Sequence, residues 1–173
     1  MQDQPTPLFG GYEPRWEGIE AEFGHWLAGF VDGEGCFALV ANGRGGVRCL
    51  FKISLRNDDG DILAEIHERL GIGSIVRNKV IVDGNPQAEW VVSAKAHCLQ
   101  LIGLFRRYPL RAKKARDFEI WARAVELWAA SFYQGKRGED YRELHVLMME
   151  MRRVRAYPIA LGRSFDDVRR LVG

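Results

Sequence analysis

Residues 27–35 read Leu-Ala-Gly-Phe-Val-Asp-Gly-Glu-Gly, which sets three glycines and an alanine inside a run that otherwise has a helical pattern. A glycine in a helix interior costs about 1 kcal/mol relative to alanine. A helix that tolerates Gly29 and Gly33 therefore gives up intrinsic stability so that another backbone can come close. Two carboxylates, Asp32 and Glu34, follow where the run ends. Small residues on a packing face with acids at its end predict a tight helix–helix contact beside an anionic site.

Outward from this stretch, the pattern predicts one α+β domain. The helix covers about residues 20–33, with Phe23, Trp26, Leu27 and Phe30 as apolar positions. Residues 36–41 form an apolar strand, and Asn42-Gly43-Arg44-Gly45-Gly46 reads as a hairpin turn. The return strand, 47–56, alternates: Phe51, Ile53 and Leu55 point one way, and Arg48, Lys52, Ser54 and Arg56 the other. One face of the sheet is thus buried and the other is basic and polar.

Asn57-Asp58-Asp59-Gly60-Asp61 supplies capping acids for a helix with Ile62, Leu63, Ile66 and Leu70 on one stripe, ended by Gly71-Ile72-Gly73. A second hairpin has a strand within 74–82, a turn at 83–86 and a return at 87–93. Its Trp90 and Val92 turn inward, and Gln87, Glu89 and Val91 outward. Helices follow at 95–107 and 113–130, separated by Pro109. Phe118, Trp121, Ala122, Val125 and Trp128 on the second of these read as core. A polar linker at 134–139 leads to a last amphipathic helix carrying Leu144, Leu147, Met148 and Met151. The order predicts a four-stranded antiparallel sheet with its helices on one face and extra helices at the C-terminus. Residues 1–18 read as a flexible arm, 19–173 as a single domain with its core at about 20–130, and about 138–173 as a helical extension.

The length of 173 residues suits one domain with a sizeable core. No apolar run approaches the ~20 residues of a membrane span, and the polar, proline-containing start is unlike a signal peptide. The expectation is a cytoplasmic protein without a membrane partner. Cys36, Cys49 and Cys98 lack zinc-ligand spacing and read as reduced thiols. A net charge of +2 does not by itself argue for nucleic acid. Its distribution says more: Arg106, Arg107, Arg111, Lys113, Lys114 and Arg116 crowd an acid-free stretch, and Arg152, Arg153 and Arg155 form a second group.

The nine-residue stretch resembles the defining motif of the LAGLIDADG homing endonucleases. Leu27, Ala28, Gly29, Asp32 and Gly35 stand in the family's places, and Glu34 stands where the family carries its metal-binding acid. The order of elements over about 20–130 likewise resembles the family's αββαββα core. A single copy of the motif implies a homodimer, because the family builds its active site between two motif helices. Leu27, Ala28, Gly29, Val31 and Asp32 are then the expected dimer interface. Two joined sheets would form a saddle over double-stranded DNA, and two-fold symmetry implies a palindromic or pseudo-palindromic target.

The resemblance also implies a Mg²⁺-dependent hydrolysis of phosphodiester bonds, with Mn²⁺ as a substitute. Glu34 would be the metal carboxylate, and the Gly33 carbonyl an auxiliary ligand. Lys113, within Pro109-Leu110-Arg111-Ala112-Lys113-Lys114, resembles the family's lysine near the scissile phosphate. Lys114 could exchange roles with it, and Arg111 would grip a phosphate. Some members place a Gln where this chain has Leu55, so the water-positioning residue differs here. The outward strand residues, Asn42, Arg44, Arg48, Lys52, Ser54, Arg56, Asn78, Gln87 and Glu89, are the candidate base readers. The implied activity is a staggered, site-specific double-strand break that serves intron or intein mobility. The alternative is a DNA- or RNA-binding relative without cleavage, such as a splicing maturase or a transcription regulator.

Overall fold

The computed structural model describes residues 15–41, 46–80, 86–134 and 139–155. Helix α1 (Ala21–Glu34) runs straight into strand β1 (Gly35–Ala41), which pairs with β2 (Val47–Arg56). A 3-10 turn (Asn57–Asp59) leads to α2 (Gly60–Leu70), then β3 (Ser74–Val80) and β4 (Pro86–Val92). Helices α3 (Lys95–Arg107), α4 (Lys114–Gln134) and α5 (Glu139–Arg155) complete the order. The four strands form one antiparallel sheet in the order β1-β2-β4-β3.

Alternation decides which way β2 faces. Val47, Cys49, Phe51 and Ile53 are buried, while Arg48 and Arg56 are exposed and Leu50, Lys52 and Ser54 lie between. The buried face meets the helices through an aromatic cluster. The Phe37 ring lies 4.9 Å from Phe51, 5.3 Å from Trp121 and 5.6 Å from Phe118. Such pairs add about 0.5–1.5 kcal/mol each beyond their area burial. Gly71 ends α2 at φ 64°, a left-handed conformation that suits glycine, and its N–H bonds to the His67 carbonyl.

The structure changes two expectations and adds one contact. Residues 15–18 form a 3-10 turn, and Trp16 is 3% exposed with its indole N–H donating to the Gln100 carbonyl at 2.8 Å. Trp16 of the expected arm therefore packs into the core; residues 1–14 lie outside the described residues. Asp59, at the start of α2, makes no side-chain cap hydrogen bond. Its neighbours Asp58 and Asp61 instead pair with Arg56 and Arg77. Finally, α5 is latched to the sheet edge, because the Arg155 guanidinium bonds to both Asp117 and the Phe37 carbonyl.

Cys49 and Cys98 are free and buried, and burial raises both thiols, that of Cys98 to about 12. They remain protonated and act as small apolar fillers.

Gly24 faces the core, where a Cβ would run into the Tyr108 ring. Tyr108 is itself buried and donates to the Ile19 carbonyl at 3.3 Å, so it has little room to yield. We predict that Gly24→Ala destabilises the fold by about 1–3 kcal/mol, despite its better helix propensity. Thermal unfolding checks this; an unchanged or raised Tm would show that the ring moves freely.

Candidate active site and nucleic-acid interface

Helix α1 has two faces. Phe23, Gly24, Leu27, Ala28 and Val31 are buried within the chain itself. Leu27, Ala28 and Val31, expected at the dimer interface, place their side chains in the protomer's own core. The reason is helical period, which places residues 24, 27, 28 and 31 on one stripe. The opposite stripe carries Glu22, Trp26, Gly29 and Gly33, all exposed. A Cβ on Gly29 or Gly33 would meet nothing within 4 Å. Trp26, 40% exposed, stacks on Phe23 and on Phe30 at 5.5 and 5.3 Å. Trp26 and Gly33 thus join Gly29 on the open face, although they were not among the expected interface residues.

The C-terminal end of α1 gathers the charged groups. Asp32 Oδ2 accepts the backbone N–H groups of Arg111 and Ala112 at 2.7 and 3.1 Å. It thereby ties the connection between α3 and α4 to the motif helix. Its other oxygen, Oδ1, is buried without a hydrogen-bond partner among the described residues. Asp32 is an anchor inside the chain. Lys114, the first residue of α4, donates to the Gly33 carbonyl at 2.8 Å and reaches the Asp32 carbonyl at 3.4 Å. A helix C-terminus carries partial negative charge, which favours an ammonium there. Of the two adjacent lysines, Lys114 is the one bonded to the helix end, and Lys113 is exposed.

Glu34, the last helical residue, is exposed. It lines a cleft of about 430 Å³ together with Phe30, Leu55, Asp58, Asp59, Asp61 and Ile62. Gly35 follows at an ordinary extended backbone angle, so glycine is needed there for space. A Cβ would lie 2.8 Å from the Val31 carbonyl oxygen and 2.7 Å from the Val31 side chain. The turn from helix to strand that presents Glu34 thus depends on that missing atom. Among the described residues, no group of three or more His, Cys, Asp or Glu gathers as a metal cage. The Glu34 carboxylate and the Gly33 carbonyl are hard oxygen donors of the kind a divalent cation prefers, and that carbonyl also accepts from the Lys114 ammonium.

On the outer sheet face, Arg48 and Arg56 are exposed and Lys52, Ser54 and Gln87 are half-buried. Arg56 forms a fork with Asp58 at 2.8 and 3.2 Å, which offsets its charge. Glu89, one of the expected base readers, lies largely beneath this face. It is 5% exposed, and its Oε1 accepts from Lys52 Nζ at 3.0 Å and Ser54 Oγ at 2.9 Å. Arg111 is exposed beside the motif helix end. Asn42 and Arg44 lie outside the described residues, as does the side chain of Asn78 in β3.

A family model described as LAGLIDADG endonuclease matches residues 27–125. A probable intron-encoded endonuclease, Cox1-I1b of Schizosaccharomyces pombe, is 31% identical over 110 residues, covering 59% of this chain and 27% of that protein. The I-AabMI LAGLIDADG meganuclease bound to uncleaved DNA superposes with a TM-score of 0.62 at 28% identity. That match covers 72% of this chain and 42% of the other. The homing endonuclease I-TnaI shares the fold, with a TM-score of 0.64 at 22% identity over 76% of this chain and 94% of its own. The chain thus spans about a quarter of the fungal protein and less than half of the DNA-bound one. The match begins at the first residue of the glycine-rich motif and runs through the sheet into α4, and the chain belongs to the LAGLIDADG endonuclease family.

Proposed function

We propose that the chain is a site-specific endonuclease of double-stranded DNA. It acts as a homodimer on a palindromic or pseudo-palindromic site, depends on Mg²⁺ or Mn²⁺, and serves the mobility of an intron or intein. The observation that carries this reading is the meeting of an exposed Glu34, the Gly33 carbonyl and the Lys114 ammonium at the end of a helix whose glycine face is open.

Each residue then has a role. Glu34 would hold the ion, with the Gly33 carbonyl, which also accepts from Lys114, as a second oxygen donor, and a two-fold dimer would bring a second acid to the same place. When bound, the ion supplies positive charge to the scissile phosphate and to the attacking and leaving oxygens. Lys114 sets its ammonium at the same helix end, where it can stabilise negative charge on a phosphate oxygen. Asp32 fixes residues 111–112 and so places the start of α4. The outer sheet face, with Arg48 and Lys52 toward solvent, provides the contact with the major groove.

We predict that Lys114→Met lowers cleavage about 10²–10³-fold, while Lys113→Met changes it only a few-fold. Single-turnover rates of the two variants decide between the lysines, and the reverse order would return the role to Lys113.

Selecting cleaved sites from a randomised duplex library with Mg²⁺ tests the whole reading. Enrichment of one site with two related half-sites supports it. A second reading, a binding protein without cleavage such as a maturase or a transcription regulator, rests on Leu55, whose apolar side chain lines the cleft beside Glu34. Binding enrichment without any cut product would favour that reading, and no enrichment of either kind would overturn the endonuclease reading.

A further inference from the structure

We propose that Glu89 is a positioning residue for DNA recognition, one that reads no base itself but fixes Lys52 as a reader of guanine. The inference rests on the DNA-binding reading above. A carboxylate on a surface that meets polyanionic DNA is unfavourable, and burying it adds to the cost unless hydrogen-bonded charge offsets it. Glu89 is 5% exposed on the sheet face that carries Arg48, Lys52, Ser54 and Arg56. The compensation comes from β2: Ser54 lies directly across from Glu89 in the register, and Lys52 is two residues further along the same strand. Both donate to the same oxygen, at 2.9 and 3.0 Å.

The consequences follow from lysine chemistry. An ammonium has three donors. One is engaged by Glu89, and the Lys52 side chain stays 35% exposed, within reach of a ligand. Guanine presents two neighbouring acceptors, O6 and N7, in the major groove, whereas cytosine presents a donor that an ammonium cannot accept. An untethered lysine is a flexible point charge suited to any phosphate. Tethering to Glu89 removes rotamers before DNA arrives, so less ordering is left for the binding step. The pair carries no net charge and adds little to the general pull of the phosphates. Glu89 thus changes what Lys52 contributes, from charge to base preference.

The test uses the full chain as wild type, Glu89→Gln, Lys52→Met and the double variant, with thermal unfolding run on each. Binding is measured across a salt series on the site enriched by the library selection and on single-base-pair variants of it. Wild type is expected to prefer guanine at one pair in each half-site by about tenfold. In Glu89→Gln that preference collapses. Its affinity for unrelated duplex rises, and the slope of log K against log salt steepens by about one per protomer. Lys52→Met loses the same preference and binds all duplexes more weakly, because the face loses one positive charge while the Glu89 carboxylate keeps its own. Adding Glu89→Gln to it restores general affinity without restoring the preference. A folded Glu89→Gln that keeps both the preference and the salt slope overturns the proposal. A wild type that enriches no sequence at all would instead overturn the DNA-binding reading itself.

Discussion

Glu34→Gln is expected to lower strand cleavage by about 10²–10³-fold or more while leaving the affinity for target DNA within a few-fold. Among the described residues, Glu34 is exposed and takes part in no hydrogen bond or ion pair, so the protomer loses no internal contact on substitution. Glutamine matches its shape, and surface changes of this kind stay within about ±0.5 kcal/mol. What changes is charge at the end of the helix. A neutral amide is a poor ligand for a hard cation beside the Gly33 carbonyl. In the proposed dimer the substitution would also remove two like charges near the symmetry axis, so binding measured without divalent ions should hold or improve. The assay pairs single-turnover cleavage in Mg²⁺ with binding in its absence. Equal loss of both would make Glu34 a structural residue and remove the basis for the proposed chemistry.

The division between what the sequence shows and what it hides follows the range of the forces involved. Strand 47–56 and helix 95–107 are legible to the residue, because alternation and helical period are local properties that burial then obeys. The motif itself is legible because glycines are costly in a helix. The inward turn of Leu27 and Val31 was in principle legible too: the stripe 24, 27, 28, 31 is a plain 3.6-residue period, masked by the prominence of the glycines. Which of Lys113 and Lys114 bonds to the end of α1 was not. It depends on where α4 begins, and one residue turns a side chain by about 100° around a helix. The Asp32 anchor joins groups 79 residues apart through backbone N–H donors, which leave no trace in side-chain identity. Trp16 docks from a four-residue turn, too short to show any period. For Glu89, alternation gives the correct face of the sheet. Its bonds to Lys52 and Ser54 run across the register, which only strand pairing reveals.

Gly29→Leu is expected to separate folding from association. Inside the protomer a side chain at Gly29 meets open space, and leucine improves helix propensity by up to about 1 kcal/mol, so the Tm of the isolated chain should not fall. Between chains the outcome reverses. If two copies of α1 cross at Gly29 and Gly33, the symmetry places the new side chain twice in one closely packed contact. Overpacking costs about 1–3 kcal/mol per site, or about 2–6 kcal/mol for the pair, which weakens the dimer roughly 30-fold to 10⁴-fold. Cleavage should fall with dimerisation, because a lone protomer brings only one Glu34 to the DNA. Sedimentation at several concentrations, run beside the cleavage assay, reads both effects. A leucine variant that remains dimeric would place the subunit contact away from the glycine face. A wild-type chain that is monomeric while cutting both strands would remove the need for a second Glu34. Trp26, half-open and stacked beside the same face, offers an independent readout. Its emission should shift to the blue as wild-type chains associate, and should stay unchanged with concentration in the leucine variant.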